Sequence, residues 1–524
     1  MFKRIFKIMN SGTLILFSFF ILLTFFFALT SSNIILGDNQ ITGAGTTFFT
    51  TVWLIILGAI VICFKTFKKV NRFMYYLFIK QRLKTATILL LLVICGQVFF
   101  VLTVHPAIGF DAGAIHQALT DRTSVEIKAY YSINYNNLPL LLLQNFFVQL
   151  FASKTWLFFD LLTLLFVDLS MLFNLISVAI VDRSRLATAI YLHVGWLLVF
   201  PMIIVPYTDT WVLPIVSGYL LCYCIAKSKK TNLLIKLLAI IGFSILLVAA
   251  YFLKPSAVIG GIAIGIGELL FSLSKLSLSK WRSWYSLGAI LFSGVVILGS
   301  HQMINQRITG QKYIQVDQSR AIPAIHFISM GVSGDGGYNP KDALAMAQIP
   351  TKAGRTAYSR KMLVKRLKNK GFFGYISFLF KKHQANTADG SFAWVKEGHF
   401  IAENPKPSKH GWAGQLKQFI YLYGTRLGDF RFAAQLWWII LLGIIALSWR
   451  DRRSFVQILR LALIGGFIYL LIFEGGRSRY LIQFLPYFLI MGALTFKHSL
   501  QTMEELISFL RYGNTGNKPG NKKK

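Results

Sequence analysis

An all-α polytopic membrane protein with about twelve transmembrane helices is the fold class this sequence predicts, and three observations predict it. Apolar runs of roughly 20 residues recur along the chain, each long enough to cross about 30 Å of hydrocarbon. Of the 524 residues, 55% are hydrophobic and 14% are charged, where a soluble chain carries about 25% charged. Lys and Arg gather in alternate loops, as they do when basic loops stay in the cytoplasm. A β-barrel would show short alternating segments instead.

The runs, in order, are roughly Ser11–Thr30, Phe48–Phe64, Ala86–Val104, Trp156–Val181, Leu186–Val205 and Thr210–Ala226. They continue with Leu233–Phe252, Pro255–Leu273, Tyr285–Met303, Phe432–Trp449, Phe455–Phe473 and Tyr480–Phe496. The first has a basic start, like a signal peptide, but it is long and lacks a small-residue cleavage site, so it reads as an uncleaved helix. With the N-terminus inside, the cytoplasmic segments hold Lys65, Lys68, Lys69, Arg72, Arg183, Arg185, Lys227, Lys229, Lys230, Lys275, Lys280, Arg450, Arg452, Arg453 and a lysine-rich tail. The short outer loops hold few charges: Asp38, Asp209, Lys254 and the EGGRSR turn. If Leu138–Leu150 crossed, every later loop would invert. It is also short for a span, so it reads as an interfacial or re-entrant helix on the outer face.

The domain plan follows. Residues 1–85 hold two spans and a basic loop. Residues 86–303 form a transmembrane core with a large outer loop at 105–155. Residues 304–431 form a second, mixed outer region, 432–496 the last spans, and 497–524 a cytoplasmic tail whose end, Asn514–Lys524, is expected to be disordered. Long outer domains translocate whatever their charge. Within the second region, Arg360–Lys382 mixes basic and aromatic residues around Gly371 and is expected to lie on the outer leaflet.

The balance of 55 Lys+Arg against 20 Asp+Glu suits topology and contact with anionic membrane lipid, and nucleic-acid binding is set aside. The four cysteines, Cys63, Cys95, Cys222 and Cys224, lie in or beside apolar runs, with no disulfide framework and no zinc spacing.

Candidate chemistry gathers at the outer ends of spans. The stretch His105–Asn137 contains Asp111, His116, Asp121, Glu126, three tyrosines and the pair Asn136-Asn137. Asp111 reads either as a general base for an acceptor hydroxyl or as an ordinary loop acid capping a short helix. Asp209, in Tyr207-Thr208-Asp209-Thr210, reads first as a helix cap. Lys254 is the lone cation of its outer turn and asks for a phosphate or carboxylate, or else snorkels to headgroups. Arg477, Arg479 and Tyr480 follow Glu474-Gly475-Gly476; two guanidinium forks at an outer turn suit phosphate oxygens. Asp335–Asn339 and Asp389–Phe392 read as turns, and His193 as a core residue. Asp160 and Asp168 lie inside a span, where acids are costly, and receive no role.

With those residues in place, the chain resembles the GT-C superfamily of integral membrane glycosyltransferases, which includes protein O-mannosyltransferases and lipid A aminoarabinose transferases. The shared plan is an acid in the first large outer loop, here Asp111, then helices along the outer face, here Leu138–Leu150. A late Arg-Tyr turn is matched by Arg479-Tyr480. The NYNNLPLLLL and VPYTDTW stretches look like a Gram-positive bacterial branch. The chain departs from the plan in its two spans before Ala86 and in lacking paired adjacent acids in the first loop.

The resemblance implies a sugar transferase at the outer face of a bacterial plasma membrane. It implies a polyprenyl-phosphate-linked donor and inversion at the anomeric carbon. Asp111 would activate the acceptor, a cell-wall polymer, glycolipid or protein. Arg477 and Arg479, with Lys254, would bind the donor phosphate. Asn136, Asn137, Tyr207, Asp209 and Tyr480 would shape the substrate site. The basic second region suggests an anionic cell-envelope acceptor. No organic cofactor is implied, and metal dependence stays open. A transporter or flippase of lipid-linked sugar is the alternative class; it would tend to show charges inside spans. A non-catalytic assembly partner is a third.

Overall fold

The computed structural model describes residues 2–274, 281–394, 401–402 and 406–512. Lys275, Lys280 and the tail expected to be disordered lie outside them. Among the described residues the fold is all-α, with no strand beyond one isolated bridge between Ile108 and Ile401.

Eleven helical stretches among these residues are long and apolar enough to cross a membrane. One of them, of 43 residues, is broken at Arg183–Arg185 into two helices, so about twelve is compatible with the count. The N-terminal elements are α1 (Phe2–Leu29), α2 (Phe48–Thr66), α3 (Lys68–Tyr75) and α4 (Arg82–Thr103). Short helices α5 (Phe110–Thr120), α6 (Val125–Ile133) and α7 (Leu138–Phe151) follow. Then come α8 (Trp156–Asp182), α9 (Leu186–Leu198), α10 (Thr208–Trp211), α11 (Leu213–Lys227), α12 (Leu233–Leu253), α13 (Ile259–Ser274) and α14 (Trp281–Thr309). The second loop region carries α15 (Ala324–Met330), α16 (Pro340–Gln348), α17 (Lys352–Thr387) and α18 (Gly411–Ile420). The chain closes with α19 (Leu427–Ala446), α20 (Ser454–Ile472) and α21 (Leu485–Tyr512).

Burial sorts the helices. The apolar window of the α21 stretch is 83% buried, and that of α2 only 6%. Helices α8, α9, α11, α19 and α20 pack with α21 at the centre. Apolar surface alone does not drive helices together in lipid, so close packing and interhelical hydrogen bonds do. Ser170 Oγ lies 2.7 Å from Ser217 Oγ, and Trp211 Nε1 donates to Thr163 Oγ1 at 2.8 Å.

The first span is less peripheral than its place in the sequence suggests. Helix α1 packs on α19, α20 and α17. Gln435, buried in α19, donates to Ala28 O at 2.9 Å and Ala388 O at 2.8 Å and accepts from Gly390 N at 2.9 Å. Asp429 accepts from Thr47 N at 2.8 Å, Thr47 Oγ1 at 2.6 Å and Thr50 Oγ1 at 2.5 Å, fixing the start of α2.

The two loop regions lie on one face and interlock. Tyr313 OH donates to Ala118 O at 3.1 Å, Asp317 N to Ser132 Oγ at 2.9 Å, and Ile322 N to Ile133 O at 3.2 Å. Two expectations change. The predicted fifth span is a 13-residue helix followed, beyond Leu198, by a buried 3-10 turn at Pro201–Ile204; Pro201 lacks the N–H that would continue the helix. The segment Arg360–Lys382 does not lie as one amphipathic helix on a leaflet. Gly371, at φ 58°, breaks α17, leaving Phe372 and Phe373 exposed at the bend. Beyond it Lys382, His383 and Asn386 are buried, because they hydrogen-bond to α1 and to the turn after α20.

In a cysteine-free background, Val125→Cys and Tyr338→Cys, both exposed positions, react with an impermeant maleimide from the same side of the membrane. Lys229→Cys reacts only after permeabilisation. Equal labelling of all three in sealed cells would overturn the arrangement.

Candidate functional site

The site is built where α5, α6, the 3-10 turn at Tyr135–Asn137 and the stretch Tyr207–Trp211 meet. Asp111 stands one residue inside the start of α5, whose N-cap is Gly109. Asp111 is therefore no cap. The preceding Phe110 has φ 54° and is exposed. That left-handed conformation costs a non-glycine residue about 1–3 kcal/mol and persists only where surroundings impose it. Here it turns Asp111 toward the bundle.

Both carboxylate oxygens of Asp111 accept phenols. Tyr130 OH donates to Oδ1 at 2.6 Å and Tyr207 OH lies 2.9 Å from Oδ2. Asn137 Nδ2 donates to Tyr130 OH at 2.6 Å, and Asn137 Oδ1 lies 3.1 Å from Tyr207 OH. The single Tyr207 proton is shared between Asp111 and Asn137. Burial, then the Asp111 charge, pushes both phenols well above the usual tyrosine range, so both remain donors. Each carboxylate oxygen keeps a second lone pair for an incoming hydroxyl.

A charged cluster lies along the same stretch. Asp209 Oδ1 pairs with Lys254 Nζ in a close contact, and Asp209 Oδ2 lies 3.5 Å from Arg479 Nε. The three side chains are 5%, 12% and 16% exposed. They bring two cations and a carboxylate together away from bulk water, where charge interactions are strong. The Tyr480 ring lies 5.4 Å from Lys254 Nζ and 5.3 Å from the Arg479 guanidinium carbon, within reach of cation–π attraction. Its hydroxyl donates to Glu474 at 3.0 Å. The expectation that Asp209 caps a helix is corrected: Tyr207 holds the N-cap position, and the Asp209 carboxylate faces the two cations.

Of the predicted residues, the fold gathers Asp111, Asn137 and Tyr207 in one hydrogen-bonded group and Asp209, Lys254, Arg479 and Tyr480 in a second. Tyr207 and Asp209, two residues apart, join them, and the Arg479 charge reaches the Tyr207 phenol. Asn136 stays at the margin, 3.4 Å from Asn137 Oδ1. Arg477 makes a contact toward the second loop region, its guanidinium 3.9 Å from Asp335 Oδ2. Arg477 is the extended N-cap of the 3-10 helix Ser478–Phe484 and Arg479 lies inside that helix, so the two side chains leave the backbone in different directions.

Tyr130 is one of the three tyrosines of the His105–Asn137 stretch, but no sequence signal assigns it a role, and two further positioning residues escape sequence reasoning altogether. Lys382 and Asn386 hold the glycine turn that delivers Arg479. Lys382 Nζ donates to Gly331 O at 2.6 Å, Phe473 O at 2.6 Å and Leu471 O at 3.1 Å. Asn386 Oδ1 accepts from Gly476 N at 2.6 Å. Gly476 has φ 73°, and a Cβ on Gly475 would meet Asn386 Oδ1 at 2.6 Å. His116, also in the stretch, is structural: it stacks on Trp156 at 4.1 Å and bonds Lys154 O at 2.7 Å. Among the described residues no three His, Cys, Asp or Glu side chains gather as metal ligands.

A family model described as "Conserved hypothetical integral membrane protein" matches residues 5–500. The chain belongs to that family. It is thus a multi-pass integral membrane protein in contact with membrane lipid. No curated protein and no solved structure matches it.

Lys382 makes a pH test. Burial pushes its amine from 10.5 down to about 7. The unfolded chain therefore binds more protons between those values, and unfolding free energy rises with pH across that window. Thermal unfolding in detergent should show a melting temperature that climbs from pH 7 to pH 10 relative to Lys382→Met. Parallel profiles for the two proteins would contradict the assignment.

Proposed function

We propose that this protein is a glycosyltransferase of the GT-C type, moving a sugar from a polyprenyl-phosphate donor to an acceptor hydroxyl at the outer face of a bacterial plasma membrane. One observation supports the reading: an oriented carboxylate, Asp111, and a buried cluster that brings two cations together, Asp209–Lys254–Arg479, lie on either side of Tyr207 at the loop face. A transferase of this class needs both a proton acceptor and a place for developing phosphate charge.

In the proposed reaction the acceptor hydroxyl gives its proton to Asp111 as its oxygen attacks the anomeric carbon. The bond from that carbon to the phosphate oxygen breaks, and polyprenyl phosphate leaves with the electron pair. Lys254 and Arg479 hold the added charge, an interaction that strengthens toward the transition state. Tyr130, Tyr207 and Asn137 fix the carboxylate and line the sugar. Arg477, facing Asp335, is left out of donor binding. The donor arrives in the bilayer, so no nucleotide pocket is required. The acceptor class that suits the basic second loop region is an anionic envelope polymer.

A second reading, transport of a lipid-linked sugar, has one observation in its favour. Asp160 is fully buried in α8, and neither carboxylate oxygen has a partner among the described residues. It heads a buried polar stripe of Thr163, Ser170, Asn174 and Ser177. A flippase variant strands lipid-linked sugar on the inner leaflet; a transferase variant leaves it on the outer one.

The test is sugar transfer from polyprenyl-phosphate donors in proteoliposomes, normalised to folded protein. Asp111→Asn keeps the shape and loses the base, so turnover should fall about 10²–10⁴-fold. Wild-type turnover in that variant would end the proposal.

The two arginines are separable in the same assay. Arg479→Ala should weaken donor use by about 2–5 kcal/mol, the cost of truncating a buried charge pair. Arg479→Lys should recover part of it, because lysine lacks the planar fork. Arg477→Ala should stay within about threefold of wild type. The reverse order would move the phosphate site to Arg477.

A further inference from the structure

A second cavity lies at the opposite, basic face of the bundle, and the catalytic proposal does not use it. Its volume is about 460 Å³, within the range of ligand sites. It opens where the ends of α1, α8, α11, α13 and α20 converge. Its wall is apolar, with Ile180, Leu270, Ile458 and Leu461. Its mouth carries Lys227, Lys229 and Lys230.

The charges at the mouth are unequal. Lys227 Nζ bonds Glu268 Oε2 at 2.7 Å, and Tyr223 OH donates to Glu268 Oε1 at 2.6 Å. That acid is occupied. Lys229 and Lys230 are exposed and pair with no acid among the described residues. Inside, Gln457 is only 7% exposed, and its Oε1 has no donor among the described residues. A buried acceptor left unsatisfied costs about 1–3 kcal/mol, so this oxygen asks for a donor from whatever fills the space.

We infer that this cavity binds an anionic phospholipid whose headgroup also carries hydroxyls, its phosphate at Lys229 and Lys230, a headgroup hydroxyl donating to Gln457, and an acyl chain along the apolar wall. Each part of the ligand meets one feature of the cavity. A free phosphate would satisfy the lysines, and a P–OH could donate to Gln457, but it leaves the apolar wall unmet. A zwitterionic choline lipid offers the chain and phosphate but no hydroxyl donor, and its cation opposes the lysines. The site stands on the face away from Asp111 and does not rest on the transferase reading.

The experiment uses the full-length protein, delipidated in a neutral detergent. Phosphatidylglycerol, phosphatidylcholine and inorganic phosphate are titrated while thermal unfolding is followed by tryptophan fluorescence. Phosphatidylglycerol should raise the melting temperature saturably, and the other two should not. The surface variant Lys229→Ala/Lys230→Ala should raise the half-saturating phosphatidylglycerol concentration on the order of tenfold, since each basic residue near an anionic headgroup contributes comparably. Gln457→Leu should narrow the gap between phosphatidylglycerol and phosphatidic acid, which lacks the headgroup hydroxyls. Both variants should unfold near the wild-type temperature without lipid, which separates lost binding from lost folding. An equal shift with phosphatidylcholine would overturn the inference, as would a full response to inorganic phosphate or wild-type phosphatidylglycerol binding by the double lysine variant.

Discussion

The buried amine of Lys382 is the contact on which the loop face depends. The chain leaves α20 at Ile472 and must turn back into the bundle before α21. Carbonyls drawn away from water at this turn need donors. Lys382 places its Nζ within hydrogen-bond reach of three of them, from Gly331, Leu471 and Phe473. Asn386 adds Gly476 N and Leu470 O. The second loop region is thereby stitched to the last turn of the bundle, and Gly336 O accepts from Gly475 N at 2.8 Å to complete the seam. What the clamp secures is the direction of Arg479. Burying a lysine is costly, and the cost is accepted where it immobilises the segment carrying a charge to the site.

The site inherits its order from a second short segment. Tyr207, Thr208 and Asp209 follow the buried 3-10 turn at Pro201–Ile204, and Gln144 of α7 donates to Pro206 O at 2.9 Å. Three elements thus converge on one place in the chain. Tyr207 addresses the acid half of the site and Asp209 the basic half. Asp209 also keeps Lys254 and Arg479 from repelling one another, so that two cations can sit on one tyrosine ring. Removing Asp209 would leave two buried like charges, and the damage would follow from their repulsion rather than from a lost base.

The membrane helices and the candidate acid were legible in the sequence because each rests on a local signal. Hydropathy over one window locates a span. Alternating Lys and Arg orders the loops. A loop that gathers Asp111, Asp121 and Glu126 with three tyrosines stands out in a chain with 20 acidic residues. What stayed hidden is contact between distant segments. Tyr130 meets Asp111 only because α5 and α6 fold back together. Nothing local separates Arg477 from Arg479; their difference comes from the bend at Gly476 and from Asp335, over a hundred residues earlier. Asp209 carries an N-cap signature, yet Tyr207 holds the N-cap position and the buried Asp209 carboxylate is paired with Lys254, since a buried charge left unpaired is strongly destabilising. The pattern at Arg360–Lys382 hid two things for a related reason: the break at Gly371, and a lysine, Lys382, that faces carbonyls.

The helix that leaves the site also reaches the other face. Residues Thr208–Trp211 run on into α11, which ends at Lys227 beside the inner cavity. It would be easy to read that as a line of communication. A rigid helix carries coupling only if it has two arrangements that both sites bias. Helix α11 is pinned along its length by Ser170 to Ser217, by the buried Tyr219 hydroxyl on Ala257 O at 2.8 Å, and by Tyr223 on Glu268. Sliding it would break all three in a setting where lost partners are not replaced by water. The physical expectation is two sites held by one scaffold yet thermodynamically independent. Filling of the basic-face cavity, as proposed, then stabilises the fold without tuning what happens beside Asp111.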